Sequence, residues 1–174
     1  MRTLGKPLWR QRNVSLPTKI RVYKSCVLAV LLYGAETWPL TKAQVQRLSG
    51  FDTRAQRVIC GILRPTVISN DALRFRTGLP PLARTLAAHR LRWYGHLLRT
   101  SPSHPTRLVL EFDLPTAGWR RPRGAPLTRY LDVIREDLRF VGIPPGEAIR
   151  RSSDRNDWSS IVASVVSTPA WREN

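Results

Sequence analysis

Acidic residues are scarce in this sequence of 174 residues, which has 12 Asp and Glu against 29 Lys and Arg and a formal net charge of +17. Lysine is scarce as well, because only four of the cations are lysines. The planar guanidinium of arginine fits phosphate oxygens better than the point charge of lysine does. This imbalance predicts a polyanionic partner, and nucleic acid is the polyanion that fits it best.

The distribution of charge bears on the alternative explanation, in which a GC-rich coding sequence merely places arginines at solvated positions. No acidic residue occurs from Ala72 to Leu110. The arginines in that interval are Arg74, Arg76, Arg84, Arg90, Arg92, Arg99 and Arg107. Clustering of this kind favours a binding surface, whereas the acids from Asp132 onward alternate with arginines as they do on ordinary helix faces.

Cysteine and clustered metal ligands are also scarce. Cys26 and Cys60 have apolar neighbours in the sequence and no Cys-x-x-Cys spacing, so we expect reduced thiols in the core of an intracellular protein. His89 and His96 share one face of a predicted helix, but two histidines without a third ligand make a poor zinc site. The sequence therefore predicts no bound metal and no cofactor.

No segment is long and apolar enough to predict membrane insertion. The residues after Met1 lack the apolar core of a signal peptide. The most apolar stretch, 22–38, has roughly a dozen strongly apolar residues, whereas a membrane-spanning helix needs ~20. We therefore do not expect a membrane partner.

The same apolar stretch belongs to the first predicted long helix. Ser15 is a good N-cap, Pro17 is tolerated in a first helical turn, and Gly34 is expected to end the helix. Because the second half of this segment is apolar on every face, we expect the helix to be buried on most sides.

A second helix is predicted from a capping box at Thr41 to the break at Gly61. Asp52 is the one polar residue in its apolar stripe, while Arg47, Arg54 and Arg57 occupy other faces. Those arginines form either a row that faces phosphates or an ordinary solvated face.

The remainder of the chain predicts helices around a segment that is broken by prolines. A third long helix is expected at 82–98, and a strand at 107–114, where the residues alternate as in a strand. Helices are expected again at 127–140, 145–151 and 153–166. The predicted fold is mainly α, a segmented helical bundle. Its expected domains are a helical region at 1–100, a Pro/Arg-rich basic connector at 101–126 and a small helical subdomain at 127–168.

The sequence contains no convincing active site. Two-metal polymerases and nucleases need clustered carboxylates, and the chain has no adjacent aspartates. Glu111 and Asp113 would share one face of the predicted strand, without a third ligand nearby, and a metal-dependent enzyme that uses this pair stays an alternative. There is no nucleophile-elbow serine and no Gly-Lys-Ser/Thr phosphate loop. We therefore expect no catalytic residues and no enzymatic activity from this chain.

Several segments in order cover nearly the whole chain, from Trp9 to Val162. They are SLPTKIRVYKSCVLAVLLYGAETW, RVICGI, TGLPPLARTLAAHRLRWYGHLLR, GWRRPRGAPLTRYLDVIREDLRFVGI and DRNDW. In order and spacing they resemble the C-terminal region of reverse transcriptases from LINE-type, non-long-terminal-repeat retrotransposons. Separated matches in a fixed order are more specific than any one motif.

This resemblance implies a thumb-like helical region with a basic C-terminal extension, separated from the endonuclease and from the palm aspartates that hold Mg²⁺ in the family. It implies a nuclear protein that binds an RNA or DNA template-primer and has no polymerase activity alone. A reverse transcriptase palm would be a further partner in a longer protein. The chain departs from some relatives in lacking a cysteine-histidine zinc knuckle.

A polymerase thumb holds nucleic acid through phosphates, which requires cations on packed helices and no base-specific code. The candidate contact residues are Arg54, Arg57, Arg90, Arg92, Arg99, Trp119, Arg120, Arg121 and Arg123. Trp119 is the candidate for base stacking, whereas Trp38, Trp93 and Trp158 are expected to pack in the core. The alternative function is a truncated remnant that acts, if at all, as a protein-interaction fragment.

Overall fold

A computed structural model describes residues 8–62, 65–111, 124 and 128–167, and the structural statements below concern those residues. This part of the chain is mainly α-helical, which confirms the predicted fold class, and it contains no strand. Its helical elements are α1 (Leu16–Val22), a π-helical stretch (Tyr23–Leu28), α2 (Ala29–Leu31), a 3-10 turn (Ala35–Thr37), α3 (Lys42–Ile59), α4 (Asn70–Thr77), α5 (Leu82–Arg99), α6 (Pro105–Glu111), α7 (Tyr130–Phe140), α8 (Pro145–Ser153) and α9 (Arg155–Ser167). None of the helices in these ranges has the length and apolar character that crossing a bilayer would require.

The described residues form two compact units. Unit 1 contains the described residues within 8–34 and 42–85, and unit 2 contains the described residues within 35–41 and 86–167. The boundary falls inside α5, so the first residues of that helix belong to unit 1 and the rest belong to unit 2. The domain limits at residues 100 and 126 stay predictions.

Unit 1 is built around α1, α3 and α4. Ser15 caps α1, because its side-chain oxygen accepts a hydrogen bond from the backbone N–H of Thr18 (3.4 Å), and Pro17 lies in the first turn as predicted. The buried core of this unit consists of Trp9, Ile20, Tyr23, Ala55, Ile59 and Leu79.

A chain of buried hydrogen bonds accounts for the polar residue in the apolar stripe of α3. Tyr23 donates its hydroxyl to Asp52 Oδ1 (2.7 Å), and Gln56 donates Nε2 to Asp52 Oδ2 (2.8 Å). Thr77, the last residue of α4, donates its hydroxyl to Gln56 Oε1 (3.0 Å). Burial raises the pKa of Asp52, and the hydrogen bonds from Tyr23 and Gln56 oppose that rise. The network therefore connects α3 to the π-helical stretch that follows α1 and to α4.

The segment after α1 is less buried than its apolar sequence predicted. The backbone N–H of Ala29 donates to the carbonyl five residues back, so this part of the helix contains a π turn. A π turn places an extra residue in the helix and rotates the residues that follow. Val30 and Tyr33 are 75% and 84% exposed. Cys26 is exposed as well, which corrects its assignment as a core thiol, and Cys60 is half-buried.

Unit 2 packs α5, from residue 86 onward, with α7, α8 and α9. Its core consists of Ala87, Ala88, Leu91, Ile134, Leu138, Ile143, Ala148, Trp158, Ile161, Val162 and Val165. Trp158 is 2% exposed and donates Nε1 to the carbonyl of Leu91 (2.9 Å), so its core position is confirmed. Trp38 and Trp93 are only half-buried.

The strand predicted at 107–114 is wrong over its described part, because Pro105–Glu111 forms α6. Pro105 begins the helix, because the φ of proline suits the first helical turn. The backbone N–H groups of Arg107 and Leu108 both donate to the carbonyl of His104 (2.9 and 3.1 Å). A short apolar run fits either a helix or a strand, so the helix start at Pro105 determines which of the two forms here. The strand face that Glu111 and Asp113 would have shared is lost, and Asp113 lies outside the described residues.

Candidate nucleic-acid interface

The described residues that line a groove in unit 1 include several cations and no acid. It consists of two adjoining hollows of about 740 and 400 Å³, which have Leu16 and Arg76 in common. The cations of the lining are Arg10, Arg12, Lys19, Arg21, Lys24 and Arg76. We call this surface the N-terminal basic groove. All of these cations except Lys19 are exposed, so most of them can reach a ligand.

Lys19 is the buried cation of the N-terminal basic groove, with 9% exposure. Its Nζ donates to the backbone carbonyls of Trp9 (3.0 Å) and Gln11 (2.7 Å), and so holds the segment before α1 against the helix. Carbonyl oxygens solvate an ammonium group without neutralising its charge. The same positive field acts on Cys60, since burial raises the pKa of its thiol while Arg76 and Lys19 oppose that rise.

A second groove, the α3–α4 groove, has a volume of about 710 Å³. Arginines and small or polar residues line it, among them Ser49, Thr53, Arg54, Arg57, Asn70 and Arg74. Arg54 is exposed, and the described residues of the groove lining include no acid that would pair with it. Arg57 donates Nη2 to the carbonyl of Ile68 (2.9 Å) and to Asn70 Oδ1 (3.1 Å). Arg57 therefore positions the connection between the two helices, and Arg54 is the freer of the two predicted contacts.

The arginines predicted as contacts on α5 have three different environments. Arg90 is 4% exposed and donates Nε and Nη2 to the carboxylate of Asp137 (2.7 and 2.9 Å). Because a buried and paired guanidinium does not reach a phosphate, we remove Arg90 from the candidate contacts. Arg92 and Arg99 are both exposed, and Arg99 also donates Nη1 to the carbonyl of Ser152 (3.0 Å).

The structure brings only part of the predicted site together. Arg54 and Arg57 line one groove in unit 1, while Arg92 and Arg99 belong to unit 2. The remaining predicted contacts, Trp119, Arg120, Arg121 and Arg123, lie outside the described residues. Among the residues that the structure describes, no group of three His, Cys, Asp or Glu side chains is placed to hold a metal ion.

The N-terminal basic groove was not predicted from the sequence, in which the arginine clusters after residue 72 are more prominent. A signal for the groove was present, because no acidic residue precedes Glu36. What the sequence did not reveal is that Arg76, which is more than fifty residues further along the chain than Lys24, completes the same groove.

Comparison with known proteins gives one informative similarity. A transposon-derived protein of Caenorhabditis elegans is 24% identical to the chain over 152 residues, which are 83% of this chain and 53% of that protein. The chain thus spans about half the length of this relative. No family model matches the chain, and no solved structure matches it significantly. The similarity connects the chain with transposon-derived proteins.

Proposed function

We propose that this chain binds nucleic acid through the phosphate backbone, without a base-specific code, as the C-terminal part of a reverse transcriptase from a LINE-type retrotransposon. The observation that carries the proposal is the N-terminal basic groove, whose described lining residues include six cations and no acid. RNA or DNA is the partner, and the chain has no polymerase activity of its own. The similarity to a transposon-derived protein supports a relation of the chain to transposons.

The shape and charge of the groove favour a polymer over a single small anion. Some of its cations line one hollow, others line the adjoining hollow and Arg76 lines both, so the cations extend along a path through the two hollows. A nucleic-acid backbone places phosphates along such a path, and each neutralised phosphate releases counterions. Arginines and lysines that contact phosphates fix the position of the strand but do not read its sequence. Binding of this type is therefore tolerant of sequence and sensitive to salt.

The test is a salt titration of binding to fluorescent oligonucleotides of two unrelated sequences, each as a single strand and as a duplex. For about five phosphate contacts, the plot of log K against log salt concentration has a slope of roughly −3.5 for single strands and −4.5 for duplex DNA. We expect equal affinity for the two sequences. Absent or salt-independent binding by the folded protein would contradict the proposal.

Self-association is a second candidate function, favoured by the exposure of Val30 and Tyr33 at the end of the apolar segment. Neighbouring exposed apolar side chains favour contact with another apolar surface. This candidate predicts a dimer in light scattering that persists at high salt and dissociates on replacement of both residues by serine. A monomer at all salt concentrations would exclude it.

A further inference from the structure

Phe75 is exposed in a helix that otherwise follows an ordinary pattern of burial. It lies near the end of α4 and is 94% exposed, while Leu73 and Thr77 are buried. Successive residues of an α-helix are about 100° apart around its axis. Phe75 therefore points away from the side of α4 that packs into unit 1. An aromatic ring in water on that outer side contributes nothing to the core.

The two residues beside Phe75 belong to different grooves. Arg74 lines the α3–α4 groove, and Arg76 lines the N-terminal basic groove. Because residues 74 and 76 lie on opposite flanks of the outer side, α4 forms a ridge between two cation-lined grooves. Phe75 is the apolar crest of this ridge.

Charges on the crest itself are balanced. Asp71, one turn before Phe75, accepts a hydrogen bond from Arg74 Nη1 (3.2 Å). This pair leaves the crest without a net charge, whereas the grooves on its two sides are cationic. A phosphate is attracted to the grooves, and a flat, uncharged group suits the crest. A nucleic-acid strand offers both groups, since its bases have π faces that stack on aromatic rings.

We propose that Phe75 stacks on an unpaired base of single-stranded nucleic acid whose backbone follows the flanking grooves. This inference rests on the proposed function and narrows its ligand from nucleic acid in general to single strands. Bases in a duplex are already stacked on their neighbours, so a duplex cannot present one to Phe75 without unstacking it. The ridge thus gives a preference for single strands that the phosphate contacts alone do not give.

The test compares Phe75→Ala and Phe75→Trp with the unmodified chain in binding to a single strand of about 12 nucleotides, within the range of single-strand site sizes, and to a duplex of the same sequence. Because base stacking on an aromatic side chain contributes to the binding free energy, Phe75→Ala should weaken single-strand binding by about 5- to 150-fold. Binding to the duplex should stay within about twofold, and Phe75→Trp should retain single-strand affinity. Phe51→Ala is the matched control, because it removes an exposed phenylalanine ring from the same unit outside the described groove linings.

A single strand with abasic sites in place of its bases separates stacking from phosphate contacts. The unmodified chain should bind this strand as weakly as Phe75→Ala binds the normal strand. If the unmodified chain binds single strands and Phe75→Ala binds them equally well, the stacking proposal is overturned while backbone binding stands. If the unmodified chain binds no nucleic acid, both proposals fail. A change from dimer to monomer in Phe75→Ala would overturn stacking in favour of contact between copies.

Discussion

Lys19 and Arg90 are both buried cations, and their partners decide what each contributes. Arg90 is neutralised by two hydrogen bonds to the carboxylate of Asp137. The partners of Lys19 are two backbone carbonyls, which leave its positive charge uncompensated next to the N-terminal basic groove. We therefore regard Arg90 as a structural residue of unit 2 and Lys19 as part of the electrostatic field of the proposed interface.

The Arg90–Asp137 pair makes a prediction about stability. Asp137→Ala should lower the free energy of unfolding by about 3–5 kcal/mol, because it leaves a buried guanidinium without its counter-charge. The double variant Arg90→Met with Asp137→Leu should recover most of that loss, since both charges are then absent. Urea denaturation followed by circular dichroism measures both changes.

Glu147→Ala is the control for this pair, because Glu147 is exposed and lies 3.9 Å from Arg150, also exposed. Its effect should be within about 0.5 kcal/mol. Equal effects of Asp137→Ala and Glu147→Ala would show that the buried pair has no special role in unit 2.

Among the helices, α5 and α9 meet at a point where only glycine fits. A Cβ at position 95 would overlap the indole of Trp158, which donates Nε1 to the carbonyl of Leu91 (2.9 Å). Gly50, in the middle of α3, has open space in the direction of a Cβ, because no atom of the described residues lies within 4 Å apart from its chain neighbours and its own helix backbone. The two glycines thus occupy similar helical backbone but different surroundings.

This contrast predicts opposite results for the same substitution. Gly95→Ala should destabilise the protein by about 2 kcal/mol or more, since overpacking outweighs the gain in helix propensity. Gly50→Ala should stabilise it by roughly 0.5–1 kcal/mol, because alanine favours the helix and meets no obstacle. Thermal unfolding of both variants is the measurement, and a stabilising Gly95→Ala would refute the close contact with Trp158.

Helix starts were predictable because their signals are local. The Ser15 cap and the positions of α3, α5 and α9 follow from capping residues, prolines and apolar periods within a few residues of each other. The π turn after α1 was not predictable, since the apolar sequence fits a regular helix as well. At 107–111, alternation suggested a strand, but a helix start just upstream took precedence.

The candidate site was harder to predict because it depends on distant residues. Arg90 looked like a surface cation, and only its pairing with Asp137, 47 residues away, shows that it is buried. Likewise, the N-terminal basic groove forms only when the segment 9–24 packs near Arg76. Charge clusters in a sequence show that a polyanion is a suitable partner, but the packing of helices decides which cations reach it.

For the molecule as a whole, net charge and charge placement make different predictions. A chain with a net charge of +17 attracts polyanions from any direction, whatever the arrangement of its cations. A groove lined by cations adds fixed phosphate contacts, which appear as a defined slope in the salt dependence. Our central claim is that the N-terminal basic groove, and not net charge alone, holds the nucleic acid.

Two triple variants with the same loss of charge test this claim most directly. The groove variant replaces Arg12, Arg21 and Arg76 by glutamine. The control variant replaces Arg139, Arg150 and Arg155, all exposed in unit 2, by glutamine. Each variant removes three positive charges, so any effect of net charge is the same in both.

The measurement is the salt dependence of single-strand binding by fluorescence anisotropy for the unmodified chain and both variants. We predict that the groove variant loses about 2 from the magnitude of the log–log slope, because about 0.7 is lost for each phosphate contact, and that the control variant keeps the original slope. Equal losses of affinity and slope in the two variants would contradict the account, since binding would then follow net charge and not the groove.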